Sequence, residues 1–256
     1  MDFEDLIYTK TEGIAKIIIN RPHVYNAFRT VTIKEMCSAL EDAEIDPDVR
    51  VVVIRGAGDK AFCTGGDAEE AKAGGYNQEM DFWHTKNHFL LRALTKPVIA
   101  AVNGWAVGGG HILHVICDLS IAADTAKFGQ AGPRVGSFDA GFGAAYLTRL
   151  VGEKKAREIW FLCRTYTAKE ALEMGLVNKV VPLSELDAEV EKWCREIVAL
   201  SPTAIKFLKA AFNSDTDHIL GAETMSAAAV RLFWESSEAK HYKEMFAERK
   251  KQKKGV

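Results

Sequence analysis

Short apolar runs alternate with longer amphipathic stretches along the first two thirds of the chain. The strand-like runs are Ile14 to Asn20, Val49 to Arg55, Pro97 to Gly104 and Asp118 to Ala123. Apolar residues recur at helical spacing in Thr30 to Ala43 and in Met80 to Leu94. This alternation predicts a parallel sheet with right-handed crossovers, and the β-branched run after Val49 is typical of a strand buried on both faces.

From about Gly141 onwards the pattern is almost wholly helical. Thr167 to Glu170 forms a capping box, and Ser201 followed by proline predicts the start of another helix. Leu176 to Val181 predicts one more short strand, and Leu183 to Leu200 a long amphipathic helix. We therefore divide the chain into an α/β core, residues 1–200, and a helical C-terminal region, residues 201–256.

Two glycine-rich turns each follow a strand-like run and precede a helix-like one. The first turn contains Gly65 and Gly66, and the second contains Gly108, Gly109 and Gly110. Each is a tight turn by default, but such turns also leave amide N–H groups unpaired at a helix N-terminus. Amides from two such turns can converge on one oxygen, so the pair predicts an oxyanion site.

A third glycine-rich segment, Phe128 to Tyr146, contains Ser137 and Asp139 before a helix that is predicted to begin near Gly141. The aspartate suits an N-cap or an Asx turn. Its carboxylate also suits proton transfer to a substrate held at the oxyanion site. The sequence leaves both interpretations open.

The charge and cysteine content of the chain exclude some classes of partner and location. The net charge of −2 gives no reason to expect nucleic acid or an anionic membrane as partner. Five scattered cysteines without a paired motif, together with a charged N-terminal stretch, predict reduced thiols and a cytoplasmic location.

Several motifs in order resemble the crotonase (enoyl-CoA hydratase/isomerase) superfamily over nearly the whole chain: INRPHVYNAF, AFCTGGD, KPVIAAVNGWAVGGG, CDLSIAAD, FGQAGP and ALEMGLVNKVVP. The resemblance implies an α/β fold, a spiral of ββα units with a helical C-terminal trimerisation region, assembled as a homotrimer or homohexamer. It implies acyl-CoA substrates whose thioester oxygen is bound by the amides of Gly66 and Gly109.

The hydratases of this superfamily use two glutamates, and the matching positions here are Ile112 and Gly132. Neither residue can transfer a proton. Ordinary hydration of an enoyl-CoA is therefore poorly supported by the sequence.

The GSFDAGFG and VGEKKAREIWFLC stretches are similar to the subgroup with 2-ketocyclohexanecarboxyl-CoA hydrolase and 1,4-dihydroxy-2-naphthoyl-CoA synthase. This resemblance implies catalytic roles for Ser137, Asp139 and Tyr76. Gln130, Gly132 and Trp160 match a bicarbonate site of some synthases, but Ala131 replaces its threonine, which makes bicarbonate a doubtful ligand.

Two further departures concern the C-terminal tyrosine and the CoA-binding basic residue of the relatives. Trp234 stands in place of the tyrosine, and its indole cannot act as a phenolic acid. Tyr25 stands in place of the basic residue, which leaves Arg29 as a candidate. The resemblance places the remaining substrate or CoA contacts at motif positions Cys63, Gly65, Asp67 and Gly108.

We therefore predict ring-opening hydrolysis of a cyclic β-keto acyl-CoA, with coenzyme A as part of the substrate and no tightly bound cofactor or metal. The alternatives are a naphthoyl-CoA synthase-type condensation, an enoyl-CoA hydratase or isomerase of unusual mechanism, and a non-catalytic binding protein on this fold. We expect neither nucleic acid nor membrane as partner.

Three other features have competing interpretations. His111, His114 and Cys117 resemble metal ligands by spacing but suit core packing better. The lysines of 250–254 suit either the phosphates of CoA or a disordered tail. Trp83, Phe89 and Leu90 suit an acyl pocket or the core equally well.

Overall fold

The computed structural model describes residues 1–74 and 77–254, and within them ten strands form two sheets. The strands are β1 (Leu6–Thr11), β2 (Ile14–Ile19), β3 (Val51–Gly56), β4 (Ala61–Cys63), β5 (Val98–Val102), β6 (Trp105–Val107), β7 (Leu119–Ala123), β8 (Lys127–Gly129), β9 (Thr165–Thr167) and β10 (Lys179–Val181). The six-stranded sheet has the order β1-β2-β3-β5-β7-β10 and the four-stranded sheet the order β4-β6-β8-β9.

Helices fill most of the remaining described chain. They are α1 (Thr30–Ile45), α2 (Ala68–Lys72), α3 (Gln78–Ala93), α4 (Gly109–Ile116), α5 (Phe142–Val151), α6 (Glu153–Leu162), α7 (Ala168–Glu173), α8 (Leu186–Val198), α9 (Pro202–Ser214), α10 (Leu220–Glu235) and α11 (Ser237–Lys254). None of the helices described in residues 1–74 and 77–254 is long and apolar enough to cross a bilayer.

The large sheet is parallel except for its edge pair, β1 with β2. Its central strands are buried on both faces, as the run after Val49 predicts. Val52 and Ile54 of β3 face the main core, while Val51 and Val53 face a second core beneath α8. Period-two alternation therefore separates two apolar layers, and a strand with both faces covered needs no polar positions.

The chain repeats one unit: a strand of the large sheet, a short strand of the small sheet, then helix. The repeats are β3-β4-α2, β5-β6-α4 and β7-β8-α5. This confirms the predicted ββα spiral. It also places the starts of α2, α4 and α5 after successive strands of the small sheet.

Several sequence predictions need correction. Strand β1 and all four strands of the small sheet are absent from the predicted elements. The predicted strand from Leu176 is only Lys179–Val181, and the long helix begins at Leu186, after a short 3-10 turn. Helix α11 continues to Lys254, so the terminal lysines are helical and not a disordered tail.

The C-terminal region of this chain packs against the core of the same chain. Helix α10 contacts α3 and α5. Two predicted helix caps are present in the structure. Ser201 accepts a hydrogen bond from the Ala204 N–H at the start of α9, and Thr167 and Glu170 form the capping box of α7 in the core.

Candidate active site

The turn after β4 presents the amide of Gly66. Phe28 pairs with Gly66 in an isolated parallel bridge, which is formed by the Phe28 N–H on the Gly65 carbonyl and the Asp67 N–H on the Phe28 carbonyl. The hydrogen bonds of such a bridge come from the residues on either side of Gly66. The N–H of Gly66 itself therefore points away from Phe28.

The turn before α4 presents the amide of Gly109. Gly108 has φ 58° and ψ −125°, which side-chain-bearing residues rarely adopt, and its N–H donates to the Gly129 carbonyl over 3.1 Å. Gly109 follows as the first residue of α4, where an N–H has no acceptor within the helix. Helix α4 therefore begins with an outward-directed amide.

The two glycine turns are in contact. A Cβ atom built on Gly65 would lie 3.0 Å from the Gly109 nitrogen, and one on Gly109 would lie 3.3 Å from the Gly65 Cα. Among the described residues, the backbone hydrogen bonds outside helices and strands include none donated by Gly66 or Gly109. Two amides without a described backbone acceptor therefore lie on touching turns, and an oxyanion is stabilised by an arrangement of this kind.

Asp67 holds the first turn in place. One carboxylate oxygen accepts from the N–H groups of Glu69 and Glu70, which caps α2, and the other lies 2.7 Å from the Arg21 guanidinium. Although burial acts to raise it, Arg21 and the two amides hold the pKa of Asp67 below its ordinary value. Its oxygens are thus committed to protein partners.

Two other predicted contact residues are also committed. The Cys63 side chain is fully buried, and burial raises its pKa to about 12. The Arg29 guanidinium is paired with Asp5, at 2.8 Å, and with Glu4. The Cys63 thiol is therefore protonated at neutral pH, and the Nε and Nη2 of Arg29 are bonded to acidic side chains of the same chain.

Asp139 lies at the N-terminus of α5. Its Oδ1 accepts from the N–H of Gly141 over 2.8 Å and from the N–H of Gly143 over 3.1 Å. This is the capping role that the sequence allows. The cap does not exclude the second role, because the carboxylate is only half-buried and its Oδ2 makes neither of these bonds.

Asp139 has two ionisable neighbours that the sequence reasoning missed. His88 on α3 and Glu223 on α10 are both buried, with 2.6 Å between His88 Nδ1 and Glu223 Oε1. Glu223 Oε2 accepts from the Phe142 N–H over 2.7 Å. Ligand atoms of His88, Asp139 and Glu223 all lie within 4.8 Å of one another.

The environment separates the pKa values of the two carboxyl groups. Burial and the nearby Glu223 charge raise the pKa of Asp139 to about 6, against the opposing effect of His88 and the α5 amides. Burial opposes ionisation of Glu223 as well, but His88 and the Phe142 amide lower its pKa to about 2. Glu223 is thus ionised at any working pH, whereas Asp139 exchanges its proton near neutrality.

His84 and His88 on α3 also have pKa values that are shifted in opposite directions. The two rings are 4.2 Å apart between centroids. Glu223 raises the pKa of His88 against the effect of burial. Burial and the neighbouring His88 lower the pKa of His84 to about 3, so His84 is neutral. Its ring lies 5.5 Å from that of Phe28, which packs on Gly109.

Ile112 and Gly132 stand at the two positions where the hydratases have glutamates. Ile112 is buried, and its side chain approaches Gly143, where the Asp139 carboxyl also packs. Gly132 begins a 3-10 turn, where a Cβ would lie 2.7 Å from the Ser137 carbonyl oxygen. Asp139 is therefore the carboxylate beside Ile112.

Ser137 and Trp234 are brought together within one chain, since the indole N–H donates to the Ser137 Oγ over 3.2 Å. Trp160 is buried and donates to the Gly143 carbonyl. Gln130 is buried and its amide nitrogen contacts His111 Nδ1 at 3.1 Å. Tyr76 lies outside the described residues.

The remaining residues, for which the sequence allows either a site role or core packing, are packed in the core. His111 and His114 are buried in the core, where burial keeps the pKa of each imidazole low. Trp83, Phe89 and Leu90 pack against the main core. Within the described chain, the cluster with metal-ligand spacing is His88, Asp139 and Glu223, but its carboxylates already accept three amide N–H groups.

Only some residues of this site could be predicted from the sequence. His84 and His88 are four residues apart on a predicted helix, and this spacing places them on one face. Glu223 has no such signal, because a glutamate on an amphipathic helix is usually a solvated residue. Its role depends on how α10 packs against α3.

Comparison with known proteins agrees with this architecture. A family model described as Enoyl-CoA hydratase/isomerase matches residues 9–254. The chain is similar to the structure of an enoyl-CoA hydratase/isomerase from Xanthobacter autotrophicus, with a TM-score of 0.86, 30% identity, and coverage of 95% of this chain and 93% of that one.

Two further similar structures are described as enoyl-CoA hydratases. One, from Mycobacterium avium subsp. paratuberculosis, has a TM-score of 0.84, 28% identity and 97% coverage of both chains. The other, from Mycobacterium avium, has a TM-score of 0.76, 33% identity, and coverage of 90% of this chain and 97% of that one. With nearly its whole length matched, this chain belongs to the enoyl-CoA hydratase/isomerase family.

Proposed function

We propose that this protein hydrolyses a carbon–carbon bond in a cyclic β-keto acyl-CoA such as 2-ketocyclohexanecarboxyl-CoA. The observation that carries the proposal is the position of Asp139. The Asp139 carboxyl, whose pKa is raised to about 6, lies beside Ile112, where hydratases have a glutamate, and the second glutamate position is occupied by Gly132, which has no acidic group. Such a site suits one proton carrier and a stabilised enolate.

In the first step, Asp139 removes a proton from water, and the water oxygen attacks the ring ketone carbon. The tetrahedral intermediate then collapses, and the bond between the former ketone carbon and the α-carbon breaks. The electron pair of that bond passes to the α-carbon and the thioester oxygen. The amides of Gly66 and Gly109 are positioned to stabilise this enolate oxygen.

In the second step, the carboxylic acid of Asp139 returns its proton to the α-carbon. The ring is then open, and the former ketone carbon has become a carboxylic acid that ionises in water. One water molecule is consumed, and neither an oxidant nor a reductant is needed. Ser137, bonded to Trp234, lies two residues before Asp139 and is placed to orient the ketone or the water.

We propose no bicarbonate in this reaction. The Trp160 N–H is bonded to the Gly143 carbonyl, and the Gln130 amide nitrogen is in contact with His111. The two side-chain donors that match a bicarbonate site are therefore already in contact with protein groups. Coenzyme A enters as part of the substrate.

The test is turnover of 2-ketocyclohexanecarboxyl-CoA in ¹⁸O-water, followed by mass spectrometry. We expect pimeloyl-CoA with label in its new carboxylate. Crotonyl-CoA, assayed in parallel, should be turned over at least about 10²-fold more slowly, because the second acid–base group is missing. Unchanged ring substrate with robust hydration of crotonyl-CoA, or with cyclisation of o-succinylbenzoyl-CoA, would overturn the proposal.

Isomerisation of an enoyl-CoA is a second candidate. A 1,3-proton shift needs one acid–base group and an oxyanion site, and Asp139 is one such group. A 3-enoyl-CoA substrate distinguishes the two reactions. Isomerisation produces a conjugated 2-enoyl thioester with its own ultraviolet absorbance and consumes no water.

We propose that the protein assembles as a homotrimer or homohexamer. Several large apolar side chains on the outer helices are exposed in the single chain, among them Phe161 at 73% and Phe212 at 75%. Leu208 is also exposed and lies one turn before Phe212 on α9, so the two form part of one apolar helix face, and contiguous apolar faces mark interfaces. Light scattering after size exclusion should give three or six chains, and a monomer would contradict this part of the proposal.

A further inference from the structure

We propose that His88 and Glu223 are positioning residues that form a buried ion pair and hold Asp139 as the one carboxylate of the site able to exchange a proton. The inference rests on the proposed function only in giving Asp139 a proton-transfer role. The pair itself is independent of which acyl group is bound.

The geometry begins at the N-terminus of α5. Glu223 accepts from the Phe142 N–H, and Asp139 accepts from the N–H groups on either side of it, those of Gly141 and Gly143. Two carboxylates therefore share one helix start, where the helix dipole favours negative charge. The amides fix both carboxylates but leave two like charges close together.

Gly141 makes this arrangement possible. A Cβ atom there would lie 2.2 Å from Glu223 Oε2 and 2.8 Å from the Glu223 Cα. Any larger residue would push α10 away from α5. The close approach brings a C-terminal helix into direct contact with the site loop.

His88 decides which carboxylate keeps its charge. Its Nδ1 lies 2.6 Å from Glu223, so a protonated imidazole neutralises Glu223 directly. Among the residues that the structure describes, the neighbours of Asp139 are the like-charged Glu223, the more remote His88 and the α5 amides, and none of these is a cation at that distance. Within the described chain, the titratable groups that face Asp139 are His88 on α3 and Glu223 on α10, and His84 lies beside His88.

When two carboxylates of one site have different proton affinities, the difference shows which of them can act as the acid and base. Glu223 stays ionised as the partner of His88, while Asp139 alternates between acid and base. The family's hydratases have a second carboxylate at the position of Gly132. Here the second carboxylate of the site is Glu223, which adjusts the proton affinity of Asp139 and does not contact the substrate.

The test is the pKa of Asp139 in the free enzyme, measured by NMR of ¹³C-labelled aspartate carboxyls and assigned with Asp139→Asn. His88→Asn removes the cation, so the Asp139 pKa should rise by about one unit or more, as is typical beside an unneutralised carboxylate. Glu223→Gln removes the like charge, so the pKa should fall. The double variant should return towards the wild-type value.

Asp217→Asn is the matched control, since Asp217 pairs with Arg92 of α3 at 2.6 Å, away from Asp139. It should leave the Asp139 pKa unchanged. Where one single variant folds poorly, the other single variant is compared with the double variant, which leaves no unpaired charge, and the Asp139 pKa should differ between those two. Asp139 values that are unmoved, or that shift in the same direction in both single variants, would overturn the proposal.

This experiment is separate from that on the proposed function, because it needs no substrate. If ring hydrolysis fails but the two variants move the pKa of Asp139 in opposite directions, the pair stands and the substrate assignment is wrong. With an active enzyme, the acid limb of kcat/KM should move with the NMR value, which a purely structural role would not produce.

Discussion

Helices α4 and α5 both begin after short strands of the small sheet, yet their first turns are used in opposite ways. Helix α4 begins with Gly109, whose N–H donates to no acceptor among the described residues. The first amides of α5 are already bound, those of Gly141 and Gly143 by Asp139 and that of Phe142 by Glu223. One helix start is open to an anion, and the other is filled by the protein's own anions.

In the proposed reaction, this contrast between two helix starts separates substrate binding from proton transfer. An open N-terminus stabilises charge that develops on a bound substrate. A filled one holds carboxylates at fixed positions and adjusts their proton affinity. The proposed reaction needs both, because an enolate must be stabilised at one atom while a proton moves at another.

Asp139→Asn should have the largest effect. Asparagine retains the cap on Gly141 and Gly143 through its Oδ1, but it cannot carry a proton. We expect turnover to fall by about 10²–10⁴-fold with acyl-CoA affinity nearly unchanged. Steady-state kinetics and calorimetric titration with a non-hydrolysable CoA ester measure the two quantities.

Gly109→Pro tests the open helix start. Proline lacks the N–H that is expected to bind the enolate oxygen, and the loss of one such donor lowers kcat by about 10²–10³-fold. Gly109→Ala is the control, because it keeps the N–H and brings a Cβ to the same 2.7 Å approach to the Phe28 ring. Equal activity of the two variants, both folded by circular dichroism, would refute the assigned role.

The filled helix start should also affect stability as the pH changes. The folded-state pKa of Asp139 is raised to about 6, so the folded protein binds this proton more tightly than the unfolded chain. Stability from this group is therefore present at low pH and lost as the pH rises from about 4 to about 6. The Asp139→Asn variant does not lose this stability as the pH rises, because asparagine does not ionise.

Relative to wild type, Asp139→Asn should gain about 1–3 kcal/mol in unfolding free energy between pH 4.5 and pH 7.5, at about 1.4 kcal/mol per pKa unit. Urea unfolding at the two pH values measures this gain. A difference that is independent of pH would show that the Asp139 carboxyl is not perturbed in the folded state.

Trp234→Phe should have the smallest effect. Phenylalanine keeps an aromatic ring beside Lys243, which lies 5.5 Å from the indole centroid, but it loses the hydrogen bond to Ser137. One neutral hydrogen bond contributes about 0.5–1.5 kcal/mol, so we expect a 2- to 10-fold decrease in kcat/KM. A loss as large as that of Asp139→Asn would mean that the indole itself takes part in the chemistry.

Sequence patterns predict the large sheet well, because buried strands such as Val51–Gly56 are continuous apolar runs. They miss the small sheet, because three-residue strands such as Ala61–Cys63 are too short to show any alternation. They also miss β1, an edge strand with most positions at least partly exposed. Its stability comes from pairing with β2 and not from its own pattern.

The same limit applies to the site. The glycine turns and the Asp139 loop are visible in the sequence because glycine placement is itself informative. Glu223 is not, since its role arises from the packing of α10 on α5 across more than 80 residues of chain. Contacts between distant segments carry no local signal.

The most direct test of the account is exchange of the α-protons of pimeloyl-CoA in D₂O, which is the reverse of the final protonation. It requires both the open start of α4 and the carboxylate at the start of α5. We predict deuterium at the α-carbon with wild-type protein and with Gly109→Ala, and exchange at least about 10²-fold slower with Asp139→Asn. Wild-type exchange that survives in Asp139→Asn, or wild-type protein that binds pimeloyl-CoA without exchanging it, would contradict the account.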